Sequence, residues 1–137
     1  MSLFKTSASI FLVALTLNLI WEFSHYRLYV DLSGIPSTPH LLLATFTDAL
    51  IITGIFGILS LKNHGMKWIK RPSTLDYTLL IGLSLLIATG IEAINLNLER
   101  WAYTSQMPTF FGIGLSPLLQ LAITAYLTLR ILKRLPE

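Results

Sequence analysis

The chain has 137 residues, of which 53% are hydrophobic and only 12% charged. Soluble domains carry about a quarter charged residues; with a mean hydropathy of +0.66, the solvent for this chain is a bilayer. The net charge of +3 does not mark a nucleic-acid binder, because the basic residues sit at the ends of apolar runs rather than in one patch. The lack of cysteine excludes disulfides, thiol chemistry and cysteine-held metal, and leaves the compartment undecided.

Four apolar runs follow one another and predict an all-α polytopic membrane protein, a single membrane domain over 1–137 with four transmembrane helices in an antiparallel bundle. The first span, about 7–30, exceeds the ~20 residues needed to cross the hydrocarbon core. With one lysine ahead of it and no small-residue cleavage site, it reads as a retained span. A loop from Asp31 to Pro39 holds a glycine and two prolines that cannot continue a helix. The second span covers about 40–61, and its Ala49, Thr53 and Gly57 place a small residue at every fourth position, the pattern of close helix approach. The connection from Lys62 to Asp76 is basic, offers Trp68 as an interfacial anchor, and ends in Ser73 or Thr74 followed by Asp76, a helix-start signal. The third span covers about 77–98. The fourth, about 112–133, ends in a basic tail.

Lys5, Lys62, Lys67, Lys70, Arg71, Arg130, Lys133 and Arg134 fall on one side of these spans, against Arg27 and Arg100 on the other. The positive-inside rule then predicts a multi-pass protein of the cell membrane with both termini cytoplasmic.

Within the spans the polar residues are few and patterned. Asn18, Glu22, His25 and Tyr29 are spaced to share one helix face. At 1.5 Å per residue, Glu22, Asp48, Glu92 and Gln120 each lie about 10–12 Å below the outer interface, one from every span. Asn95 and Glu99 continue the face of Glu92 outward. An ionised acid at a helix centre costs roughly 2.5–3.5 kcal/mol on insertion scales, so three acids at one depth demand compensation by protons, His25, Arg27 or the neighbouring amides. Two carboxyls brought together share a proton and so present a donor beside an acceptor. Buried polar clusters also serve simply to fix helix register.

The outer loop from Glu99 to Pro117 is aromatic, and leads into a span interrupted by Gly112, Gly114 and Pro117. Glycine-rich helix starts offer backbone N–H groups to anionic or carbonyl groups, and Pro117 is expected to free a carbonyl within the membrane. Two strings stand out. One is N-x-x-W-E-x-x-H-x-x-L-Y, formed by Asn18, Trp21, Glu22, His25, Leu28 and Tyr29; the other is E-R-W-x-Y-x-x-x-M-P, from Glu99 to Pro108. Together they resemble a group of small four-helix bacterial integral membrane proteins. The resemblance implies that these polar positions belong to one site, and adds no reaction.

Glu22-x-x-His25 matches half of a di-iron carboxylate–histidine arrangement, which needs the motif twice. With one intramembrane histidine, no di-metal centre is expected. A single ion on Glu22, His25, Asp48 and Glu92 is the lesser alternative, so neither metal nor other cofactor is expected. Phosphate-binding loop, His-Glu-x-x-His pair and nucleophile elbow are all lacking. The favoured reading is an outward-opening acidic site that binds, or transforms by acid–base chemistry, a lipid or isoprenoid. Glu22, Asp48, Glu92 and His25 would exchange protons, and Asn18, Tyr29, Asn95, Glu99, Trp101, Tyr103 and Gln120 would hold the ligand. The alternatives are a small proton- or cation-coupled transporter or channel subunit, and an accessory or assembly subunit. The inner half argues against a conduit: below Asp48 span two has only Thr53 and Ser60 and span three has Thr89 and Ser84, so that half is nearly dry. The expected partners are membrane lipids and an apolar small molecule, with no nucleic acid; homo-oligomerisation and enzyme status stay open.

Overall fold

A computed structural model describes residues 3–31 and 37–136. It is built from four helices, α1 (Leu3–His25), α2 (Thr38–Lys62), α3 (Thr74–Asn97) and α4 (Leu115–Arg134), each long and apolar enough to cross a membrane. A two-residue hairpin, β1 (Thr109–Phe110) and β2 (Ile113–Gly114), precedes α4. Most of the expected loop between the first two spans, residues 32–36, lies outside the described residues.

α1 packs on α2 and α4, α3 packs on α4, and α2 and α3 touch least of the neighbouring pairs. The apolar core runs through Ile10, Ala14, Ile52, Phe56, Leu80, Ala125 and Leu129. Its small-residue contacts differ from the expected stripe: Ala49 is fully buried, but a Cβ on Gly57 would meet nothing within 4 Å. Trp68 is a core residue rather than an interfacial anchor. Its ring lies 5.4 Å from that of Phe56 and its Nε1 donates to Ser60 Oγ at 2.9 Å, so both its apolar body and its polar edge are satisfied inside.

Local signals explain the helix ends. Ser73 caps α3 in a reciprocal box with Asp76, and Asp76 also takes Lys62 Nζ at 2.7 Å and Asn63 Nδ2 at 2.8 Å. This one carboxylate fastens the start of α3 to the end of α2. At the same end of the bundle, Lys70 Nζ reaches the carbonyls of Leu132, in the last turn of α4, and of Leu135, just past it. At the opposite end α1 stops at His25, earlier than expected. A 3-10 turn over Tyr26–Leu28 follows, and Tyr29 pairs as an isolated bridge with Tyr103. Val30 N donates to Ala102 O at 2.9 Å and Thr104 N to Leu28 O at 2.8 Å, which fixes the long loop 98–114 across the end of α1.

Replacing Asp76 by Ala leaves Ser73, Lys62 and Asn63 without their common acceptor. A loss of about 2–3 kcal/mol in unfolding free energy is expected, read by denaturant titration in detergent micelles, with Thr78→Ala near zero as the control.

Candidate functional site

Three of the four polar residues expected at one depth meet at a single atom. Gln120 Nε2 lies 2.7 Å from Asp48 Oδ2, 2.8 Å from Glu22 Oε1 and 3.1 Å from Asn18 Oδ1. Helices α1, α2 and α4 are thereby joined through one amide. Asn18 is tied back to its own helix through Ala14 O at 2.9 Å, and Thr124 Oγ1 adds a contact to Asn18 Oδ1 at 3.3 Å. Glu92, on α3, stands apart from this knot. Its Oε2 accepts from Trp101 Nε1 at 3.2 Å and from the Tyr103 hydroxyl, so the loop satisfies the acid of α3.

Between these groups lies a cavity of about 430 Å³. Glu22, Asp48, Glu92 and Gln120 form its floor, with Ala88, Pro117 and Leu121; Leu43, Ala44 and Thr47 of α2 face Ile91 and Asn95 of α3 across it; Tyr29, Trp101, Arg100, His40 and Asp31 form the loop-side rim. Arg100 Nη1 is held to Asn95 Oδ1 at 3.3 Å. Sequence reasoning missed Arg100, His40 and Asp31, because single polar residues near helix ends carry no spacing signal, and Thr47, whose hydroxyl bonds its own helix at Leu43 O.

The other expected residues divide. Asn18 lies behind the floor and Tyr103 behind Glu92, each one bond away from the cavity wall. Tyr29 is not on the helical stripe, since α1 has already ended, but its ring still meets His25 edge-on at 5.6 Å. His25 is buried behind Glu22, with Nε2 3.3 Å from Glu22 Oε2 and Nδ1 2.7 Å from Ser116 Oγ. Glu99 is exposed, falls beyond the end of α3 with φ of 52°, and lines no part of the cavity. The chain turns away just before it, which breaks the expected Glu92–Asn95–Glu99 face. Among the described residues no group of three or more His, Asp or Glu is arranged to hold a metal ion.

The start of α4 also differs from expectation. Gly112 belongs to the hairpin turn, with φ of 78°, and Pro117 lies in the first helical turn. A proline there removes an N–H that has no partner within the helix in any case, so no intramembrane carbonyl is freed. Gly114 is a place of close approach: a Cβ would come within 2.9 Å of Met107 Sδ and 3.0 Å of the Tyr103 ring.

Burial, then the bond to Glu92, pushes the Tyr103 phenol above its ordinary range, and burial does the same for Tyr29. Both therefore stay protonated donors at physiological pH. Comparison with protein families, curated proteins and solved structures finds no match, so the chemistry rests on this geometry.

Two outcomes follow. Gln120→Leu strips Glu22, Asp48 and Asn18 of their shared donor and should cost about 3 kcal/mol or more, measured by unfolding in micelles against Leu119→Ala. Because the two phenols ionise later when folded, stability should hold up to the ordinary tyrosine range and fall as pH rises through and beyond it, where only the unfolded chain ionises. Tyr103→Phe should flatten part of that fall in unfolding curves taken across alkaline pH.

Proposed function

We propose that this protein is a multi-pass protein of the cell membrane, with both termini in the cytoplasm, whose cavity binds a lipid or isoprenoid and exchanges protons with it. The topology rests on the basic residues: eight of the ten lie at the end of the bundle that carries the loop between α2 and α3. The cavity then opens on the outer side.

The observation that carries the function is the crowding at Gln120. An amide nitrogen bears two hydrogens, yet three acceptor oxygens surround it, and the Glu22 and Asp48 carboxyls are within hydrogen-bond reach of each other. One proton held on that pair completes the count and leaves a proton donor beside an acceptor, on a floor walled by apolar side chains. Such a pair suits the protonation or deprotonation of an apolar skeleton. Glu92, with the Trp101 and Tyr103 donors behind it, supplies a third carboxyl facing the same space.

The ligand's apolar character is supported by the wall between α2 and α3, the loosest of the neighbouring helix pairs, where the lining residue Leu43 is 66% exposed. A ligand can pass there from the bilayer without crossing water. The transport reading is weaker because the other half of the bundle is sealed. Thr124, Thr128 and Ser84 lie there, but each donates to a carbonyl of its own helix, and Phe56, Leu80 and Leu129 close the space between them.

Native mass spectrometry of the protein released from membranes tests the proposal. The unaltered protein should retain a discrete lipid or isoprenoid mass, and Glu22→Gln should reduce its occupancy several-fold while Lys67→Gln does not. A protein that carries no such mass in either form would defeat it.

A further inference from the structure

The hydroxyls of the helices share one habit. Thr16, Ser24, Thr45, Ser84, Thr89 and Thr128 each donate to the carbonyl one turn back, and so are satisfied without any neighbour. Ser116 departs from it. As the second residue of α4 it has no helical carbonyl one turn behind it, and its Oγ lies 2.7 Å from Nδ1 of His25, a residue distant in sequence.

The partner ring is fixed from its other side. Nε2 of His25 faces Glu22 Oε2 at 3.3 Å, while Glu22 Oε1 takes the Gln120 amide at 2.8 Å. A carboxylate only accepts, so the neutral imidazole carries its hydrogen on Nε2 and turns the Nδ1 lone pair toward the serine hydroxyl. His25 is 6% exposed and Glu22 8%; Trp21 and Tyr29 pack edge-on against the imidazole, which holds its orientation. Serine, base and orienting carboxylate thus stand in hydrogen-bond sequence, the arrangement of an activated nucleophile.

The backbone adds a second element. Four N–H positions at the start of a helix have no partner within it. Here the Gly114 N–H meets the Tyr103 hydroxyl, the Leu115 N–H goes to Pro108 O at 2.7 Å, and Pro117 has none. That leaves the N–H of Ser116 itself, beside its own Oγ, as a donor for an oxyanion. Nearby, Trp21 carries a buried Nε1–H with no acceptor among the described residues, an unmet donor beside the imidazole.

From these contacts we infer that Ser116 is a nucleophile, with His25 as its base and Glu22 as the positioning residue, acting on the carboxylic ester of a membrane lipid. Ser116 Oγ bonds to the ester carbonyl carbon as its proton passes to His25 Nδ1. The carbon–oxygen bond to the alcohol then breaks, and the departing oxygen takes the proton back from Nδ1. Water at the interface adds to the acyl-serine by the same route, which releases the carboxylic acid and restores the hydroxyl. A lipid substrate fits the position: Ser116 is half-buried at the membrane-edge end of α4, and Leu119, one turn deeper, is 41% exposed, so an acyl chain can lie along the helix in the bilayer. The inference does not depend on the cavity ligand, since Ser116 and His25 line no part of that cavity.

An alkyl fluorophosphonate applied to the full-length protein in lipid nanodiscs tests it, with the adduct mapped by mass spectrometry. Ser116 should be labelled in the unaltered protein, not in Ser116→Ala, and roughly a hundredfold more slowly in His25→Gln. The lack of cysteine gives a second readout that survives poor labelling by a variant. The single thiol of Ser116→Cys should react with iodoacetamide at neutral pH at least about tenfold faster than it does when His25→Gln is added. An unlabelled Ser116 in the unaltered protein, or rates indifferent to His25, would overturn the inference and leave the serine as a hydrogen-bonding cap on the imidazole.

Discussion

One side-chain amide holds the interior of this protein together. Carboxyl groups taken out of water are costly unless each is hydrogen-bonded or neutralised, and Gln120 answers for two of them and an asparagine at once. Because its partners come from α1 and α2 while it stands on α4, the amide also sets the depth of three helices relative to one another. A slip of one residue on any of them would carry an acid away from its donor by about 1.5 Å and rotate it off the face. Register and chemistry are therefore the same constraint here. Helix α3 escapes it: Glu92 is satisfied by Trp101 and Tyr103 from the loop, so α3 need not close onto α2, and the cavity is the space left between them.

The loop 98–114 is consequently part of the interior. Its hold on α1 runs through the Tyr29–Tyr103 bridge and two flanking backbone bonds, and its aromatic side chains turn polar edges toward Glu92. An aromatic donor suits this place because its apolar body packs while its single N–H or O–H is spent on the acid. Close contact at Gly114 matters for the same reason, since a side chain there would push Met107 and Tyr103 off their seats. At the other end of the bundle the polar groups serve only architecture: Asp76, Ser73, Lys62 and Asn63 tie two helices. The two ends use similar residue types for opposite purposes, and burial next to a cavity is what separates them.

How much of this is legible in the sequence depends on whether the signal is periodic. Apolar runs longer than a bilayer is thick mark the four helices, and counting residues inward from their ends brings Glu22, Asp48 and Gln120 to one level, where the structure joins them. Ser73 and Asp76 announce their helix start by local chemistry alone. What fails is whatever depends on where a helix stops. Tyr29 sits at helical spacing from His25, yet the chain has left the α-helix at His25; Glu99 sits at helical spacing from Asn95, yet α3 ends at Asn97. Pro117 reads as an interruption only if the span begins at Gly112, and becomes an ordinary first-turn proline once the start is Leu115. Trp68 reads as an interfacial anchor from its basic neighbours, while the partners that bury it, Phe56 and Ser60, lie in another segment. Ser116 carries no pattern at all. A serine just inside a helix start has no carbonyl of its own helix to bond, and that is the physical signal by which it is found.

Glu22 occupies the junction between the cavity and the serine. Its two oxygens face different ways, Oε1 toward Gln120 on the cavity floor and Oε2 toward His25, so a change of charge on this one carboxyl is felt on both sides without any helix moving. On the roles proposed above, a proton passed from Ser116 to His25 would be felt at Oε2, and through the shared carboxyl at the Asp48 contact on the cavity floor. A ligand that pulls on Asp48 from the cavity acts on the same balance from the other end, and linkage makes the two influences reciprocal. Such coupling needs no distinct allosteric element. It follows from placing one acid where three helices cross and giving each of its oxygens a different neighbour.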